Sequence, residues 1–275
     1  MDEANTVSKM SSHVRNPIAA RFSAAAGTYD RRAHVQQSVS ERTLRLIRDV
    51  ALPPDGPILE LGCGTGILPG SICRAYPLNP VCAIDVSPDM VAQAKRALGT
   101  NGRVRWAVAD AAGFQARESF ALIVSSSSMH WMSPLAATLA NVARLMADGG
   151  HFICALMIDG TLAELHEARQ AAAPGKVPRG RLPLATEVDA WLEEAGLGVV
   201  TREEETVRAA HESAAEFFDA IHEQGLTSGP VSTSAVPLNR GELRAAMRYY
   251  DDRFRRPEGG VFASYRVLYV HARKG

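Results

Sequence analysis

The stretch ILELGCGTGILPG, residues 58–70, sets three glycines at alternate positions, Gly62, Gly64 and Gly66, directly behind an apolar run. An acid, Glu60, stands two residues ahead of the first. Glycines in a turn between a strand and a helix let a ligand pass close over the backbone. The G-x-G-x-G spacing is not the G-x-G-x-x-G of a pyrophosphate-binding turn, and no Gly-Lys-Ser/Thr follows, which excludes a P-loop. Glu60 at the strand end repels a phosphate and suits a cation. Asp85 closes VCAID, about twenty residues past the loop, where a carboxylate accepts from both hydroxyls of a ribose. Asp110 closes RVRWAVAD. It can accept from an adenine amino group while Ala111 donates its backbone N–H.

Asp85 alone serves a nicotinamide dinucleotide equally well. The set together asks for a nucleoside with positive charge and no phosphate. S-adenosylmethionine, which carries a sulfonium and an ammonium, meets that description. The expected cofactor contacts are Glu60, Gly62, Cys63, Gly64, Gly66, Asp85, Val86, Met90, Asp110, Ala111 and Ser126.

These residues need elements that bring strand ends together. PILEL, VCAIDV (81–86), RVRWAVAD (103–110), FALIVSS (120–126) and HFICALMI (151–158) read as five strands. Helices fall between them at about 65–75, 87–98 and 134–150, the second opened by Ser87 as N-cap, Pro88 and Asp89. Such alternation means a parallel sheet with helices on both faces. Residues 17–52 read as helix broken near Gly27, and PPDG (53–56) as a turn. Past residue 158 the pattern loosens: helices at 161–173, 186–196, 211–224 and 239–254, a sixth strand from Leu197, and an alternating last strand, 261–274. The expected organisation is a disordered 1–15, a cofactor-binding core with N-terminal helices over 16–158, a helical cap with the sixth strand over 159–260, and a closing core strand at 261–275. The cap falls over the sheet's carboxyl edge, where ligands bind in such folds.

Composition agrees with a cytosolic enzyme or binding protein. The 275 residues are 46% hydrophobic with 30 basic and 30 acidic side chains, so nothing points to wholesale nucleic-acid or membrane binding. The N-terminus shows no apolar signal region and no run nears the ~20 residues of a membrane span. Cys63, Cys73, Cys82 and Cys154 form no CxxC pair and read as reduced, buried thiols.

Over residues 55–158, ELGCGTG and the acids resemble the class I S-adenosylmethionine-dependent methyltransferases. That resemblance implies a Rossmann-like seven-stranded α/β sheet with the last strand antiparallel. A narrower likeness covers most of the chain. RFSAAAGTYDRRAHVQQ, with Phe22, Ala24–Ala26, Tyr29, Ala33 and Gln36, is similar to the N-terminal signature of the BioC-type malonyl-acyl carrier protein O-methyltransferases of biotin synthesis. SSSSMHWM (125–132), GTLAELHEARQ (160–170), RLPLATEVDAWLEEAG (181–196) and SYRVLYVHARK (264–274) resemble later segments of that family. The chain departs from it at Phe120-Ala121, where the family has F-D, and in the SSSS run. A mitochondrial complex I assembly group shares much of the signature. The readings carried forward are therefore a malonyl-carrier carboxyl methyltransferase, a methyltransferase of a small carboxylic acid or other metabolite, and a cofactor-binding assembly factor that methylates nothing.

The resemblance implies methyl transfer to a carboxylate. A carboxylate is ionised at neutral pH and needs no general base, so His130 reads as wall or core. A buried carboxylate is best met by an Arg fork, for which Arg266 and Arg181 are the candidates. Tyr265 and Arg266, being neighbours on a strand, face opposite ways. Tyr29 is expected to close over the cofactor, Trp131 to line the acyl pocket, and Phe217 and Phe218 to build cap core. Acyl carrier proteins are acidic. Lys176, Arg179 and Arg181, or the face of Arg240, Arg244 and Arg248 followed by Arg253, Arg255 and Arg256, offer docking charge or are simply solvated.

Overall fold

A computed structural model describes residues 17–99, 102–176, 180–224, 226 and 236–275. The expected disorder of 1–15, and Arg179, lie outside them. Among the described residues the elements run α1 (Pro17–Ala25), α2 (Tyr29–Arg32), α3 (His34–Arg48), β1 (Ile58–Leu61), α4 (Ile67–Ala75), β2 (Val81–Asp85), α5 (Pro88–Leu98), β3 (Val104–Val108) and β4 (Phe120–Ser126). A 3-10 turn, Met129–Trp131, leads into α6 (Leu135–Leu145), β5 (Met146–Met157), α7 (Ala163–Ala172), α8 (Ala185–Glu194), β6 (Leu197–His211), α9 (Ala214–Glu223), α10 (Arg240–Arg253) and β7 (Val261–Lys274).

The strands form one sheet in the order β3-β2-β1-β4-β5-β7-β6. β1 through β5 pair in parallel, and β7 runs antiparallel to both β5 and β6. This is the Rossmann-like arrangement with a reversed last strand. β1 and β2 are buried along their whole length, as parallel strands covered on both faces must be. The order reverses at β1, with β2 on one side and β4 on the other, so their carboxyl ends flank a single crevice.

Local signals match the elements. Ser87 accepts from the Met90 N–H at 3.2 Å, and Ser213 from the Glu216 N–H at 3.2 Å. Asn239 and Glu242 close a reciprocal capping box at the start of α10. The largest difference from the expected boundaries follows α6. The helix expected to reach residue 150 stops at Leu145, and β5 begins at Met146. Pairing with β4 then slips between Phe120 and Leu122, because residues 147–150 make a tight bulge. A Cβ on Gly150 would stand 2.7 Å from the Ala147 carbonyl oxygen.

Among the described residues, three larger apolar clusters and a small one around Ala83 and Val91 meet at the sheet. One face packs α6 and α8 through Leu139, Val142, Val188 and Leu192. The helix α8, expected in the cap, thus belongs to this face. The other face packs α3 and α4 through Ile47, Leu68 and Ile72. The third joins α7, α9 and α10 to Val35, Val39, Trp131 and Tyr265. Phe217 and Phe218 lie in it as expected, with Phe217 5.0 Å from the Tyr250 ring. All four cysteines are free and buried. No described helix is long and apolar enough to cross a membrane.

Because Phe217 is fully buried in this shared cluster, Phe217→Ala is expected to cost about 3–5 kcal/mol. Urea denaturation checks the size, and a single coincident transition by fluorescence and circular dichroism checks that cap and sheet unfold together.

Candidate active site

The carboxyl ends of β1, β2 and β4 and the helices α1–α3 enclose a cavity of about 340 Å³. It brings together almost every residue of the expected cofactor set. Glu60, Gly62, Cys63, Gly64, Asp85, Val86, Met90, Asp110, Ala111, Ser126, Tyr29 and Trp131 all line it.

The glycines divide the work. Gly62, at φ 73°, has no room for a side chain, since a Cβ would meet the Ser128 Oγ at 2.4 Å. Gly66, outside the lining residues, brings the start of α4 against α5, where a Cβ would sit 3.0 Å from that of Ala94. Gly64, at φ 52°, has nothing within 4 Å of where its Cβ would be. Its left-handed backbone favours glycine, and the empty space above it is open to a ligand. The turn is pinned to β2, with the Gly62 and Cys63 N–H groups donating to the Ile84 carbonyl at 2.8 and 3.0 Å.

Asp85 is 8% exposed. It accepts from the Gly64 N–H at 2.9 Å and the Ser87 N–H at 2.8 Å, one on each oxygen. Burial raises its pKa, and the backbone donors of Ser87, Gly64 and Val86 oppose the rise. Glu60 is 2% exposed and has no such support: its Oε2 is buried without a hydrogen-bond partner. Burial, with the Asp85 charge second, pushes its pKa well above the usual carboxylate range. Asp110 is exposed, and its Oδ1 accepts from the Ala112 N–H at 3.0 Å. No Lys or Arg lines the cavity among the described residues. Two buried acids and one exposed acid around a bare turn fit a cationic ligand and repel a phosphorylated one.

The N-terminal helices supply the opposite wall. Phe22 and Trp131 meet edge to face at 5.1 Å, and Phe22 lies 6.3 Å from Tyr29. Tyr29 is raised in pKa by burial first, then by Asp85 and Asp30. Asp30 accepts from the Thr65 hydroxyl at 2.6 Å, and the Ser23 and Ser87 hydroxyls lie 2.8 Å apart. Gln36 and Ser40, four residues apart on α3, add polar lining. Helical spacing relates that pair, but nothing in the local sequence of α1–α3 says which core loop they face.

In the SSSS run, the Ser125 and Ser128 hydroxyls lie 2.7 Å from each other and each 2.9 Å from the Leu61 carbonyl. They tie β4 to β1 beneath the glycine turn. Ser126 and Ser127 have buried hydroxyls without partners, and Ser127 takes a left-handed φ of 54°. His130 is buried, and its Nδ1 accepts from the Met157 N–H at 3.3 Å. Burial drives its pKa down to about 3, so the ring is neutral.

The two arginines expected to clamp a substrate carboxylate are elsewhere. On β7, Tyr265 turns inward at 3% exposure and Arg266 outward, its side chain 44% exposed. Arg266 pairs with Glu204 at 2.7 Å and lies across Gly160. Arg181 forms a two-pronged pair with Glu187 at 2.6 and 2.7 Å, on the surface. Strand alternation separates Arg266 from the cavity, and a local carboxylate captures Arg181.

Residues 58–150 match the methyltransferase domain family. The chain is 33% identical over 263 residues to a malonyl-acyl carrier protein O-methyltransferase from Geobacter sulfurreducens, covering 93% of this chain and 97% of that protein. It is 30% identical over 263 residues to the biotin biosynthesis bifunctional protein BioCD of Bordetella avium, covering 94% of this chain and 52% of that one. Among solved structures, a putative methyltransferase from Bacillus halodurans superposes with a TM-score of 0.60 at 16% identity, over 85% of this chain and 99% of that one.

The state of Glu60 has a consequence for stability. A carboxyl whose pKa is raised by folding favours the folded state below its ordinary value of 4.5. That contribution is lost as pH climbs through the raised value. Glu60→Gln is therefore expected to raise the melting temperature of the ligand-free protein, by an increment that grows as pH rises above about 4.5. A pH-independent increment would mean an ordinary carboxyl.

Proposed function

Since the chain belongs to the malonyl-acyl carrier protein O-methyltransferase family, we propose that it methylates the free carboxylate of a malonyl group held on an acyl carrier protein, as a step in biotin precursor synthesis. The observation that carries the reading is the pair of adjacent buried carboxylates, Glu60 and Asp85, under an open glycine turn. S-adenosylmethionine, when bound, supplies an electrophilic methyl group and the positive charge that attracts the acceptor oxygen.

The chain's residues do the rest. Glu60 takes the ammonium end and Asp85 the ribose hydroxyls, the carboxylate oxygens of Asp85 having acceptor capacity left beside their backbone donors. Asp110 and Ala111 bound the base, and Gly64 leaves the methionine chain its path. Phe22, Tyr29, Trp131 and Met132 exclude water from the transfer. The acceptor arrives ionised, so no residue needs to remove a proton, and neutral His130 with its Nδ1 engaged is a wall. Catalysis rests on alignment in a dry site. For the partner, Arg240, Arg244 and Arg248 stand exposed along one face of α10, which suits an acidic carrier.

Incubation with labelled S-adenosylmethionine and malonyl-acyl carrier protein, read by intact mass, is expected to add one methyl group to the carrier-bound acyl chain. Methylation of free short-chain carboxylic acids with the carrier untouched would favour a small-molecule enzyme. Calorimetric binding without any transfer would favour an assembly role. Asp85→Ala is expected to weaken cofactor binding at least tenfold, ~1.4 kcal/mol. Circular dichroism on that variant checks that loss of the bonds to Gly64 and Ser87 leaves the fold intact.

A further inference from the structure

The helix α2 is four residues long, and its side chains address three different bodies. Tyr29 lines the cavity. Asp30 holds the glycine turn through the Thr65 hydroxyl at 2.6 Å. Arg32 reaches the cap: its Nη1 lies 2.9 Å from Glu216 Oε1 and its Nε 2.8 Å from Glu223 Oε2, both on α9. Asp219 stands between those two acids on α9 and adds to the same field. Beside this contact, Gln36 donates to Gln224 at 3.1 Å. The wall of the cavity is thus fastened to the core on one side and to the cap on the other.

Two features of the segment leave room for movement. Gly27, between α1 and α2, has nothing within 4 Å of where its Cβ would sit, and its φ lies outside the left-handed region. The conformation seen here does not require glycine, so its added freedom serves a different one. The pairs of Arg32 are partly exposed, with side-chain exposures of 36% for Arg32, 28% for Glu216 and 45% for Glu223. Such pairs are weak and salt-sensitive. That suits a fastening released in every catalytic cycle.

We infer that Arg32, clasped by Glu216 and Glu223, is a positioning latch that holds Tyr29 and the N-terminal wall closed over the cavity, with Gly27 as its hinge. The inference rests on the reading of the cavity as the cofactor site. Closure is then shared between cofactor and cap: α9 stabilises the same state of α2 that the occupied cavity stabilises. Arg32 touches neither the cavity nor any reacting atom, and it acts through Tyr29 and Phe22.

The test follows release of S-adenosylhomocysteine from the full-length protein by stopped-flow tryptophan fluorescence, with Trp131 reporting on its contact with Phe22. Arg32→Ala is expected to speed release about fivefold. Glu216→Gln/Glu223→Gln should do the same, and the three changes together no more than either alone. Raised salt should speed release from the wild type but not from Arg32→Ala. Gly27→Ala, which fits the closed conformation without a clash, should slow release severalfold. Wild-type release rates in Arg32→Ala and Gly27→Ala, with tight binding retained, would overturn the latch and leave the cofactor reading intact. Failure of the wild type to bind S-adenosylhomocysteine would overturn the cofactor reading itself. Additive effects of the arginine and glutamate changes would show that they act separately and would also overturn the latch.

Discussion

The site depends on the burial of two carboxyl groups side by side at the carboxyl edge of a parallel sheet. β1 and β2 are neighbours in register, Glu60 opposite Ala83, so Asp85 lies two residues further toward the same edge. Water is excluded from both carboxyl groups, and like charges at this distance resist ionising together. The protein compensates one of them. Asp85 receives backbone N–H groups from the turn it helps to shape, whereas Glu60 keeps an unpartnered oxygen. A buried polar atom left without a partner is costly, and a cationic ligand removes that cost. The site's preference for positive charge is therefore a property of its unliganded state.

Around this edge the apolar clusters pack the helices against the sheet. The core strands contribute rigid backbone, and the Ser125–Ser128 contacts lock β4 to the end of β1. Trp131 belongs to the cap's cluster although it follows β4 by five residues. A short 3-10 turn thus carries the chain from core to cap and makes one side chain common to both. The opposite wall comes from the N-terminal helices, which reach the core through Ser23 and Asp30 and the cap through Arg32 and Gln36.

The chemistry asks little of the side chains beyond this. The residues that invite a catalytic role are occupied otherwise. His130 is neutral and hydrogen-bonded to backbone; Arg181 and Arg266 are held by Glu187 and Glu204. What the cavity provides is shape, dryness and buried carboxyl groups that suit a cationic cofactor.

The alternating strands and helices, the glycine turn and the acids at three strand ends were legible in the sequence. Each of these is a local signal: periodicity, turn chemistry, or a charged residue where an apolar strand stops. Local rules also anticipated that Tyr265 and Arg266 face opposite ways, because strand alternation is a property of two adjacent residues. Only the tertiary structure decided which of them looks inward, since that depends on the sheet face covered by the cap. It alone showed that Asp85 braces the glycine turn, that Glu60 lacks a partner, and that Arg181 is captured by Glu187. It also brought Arg32 onto α9, 184 residues away from it at Glu216. Such contacts join segments far apart in the chain, and no periodicity or spacing encodes the partner of a side chain across so long a separation.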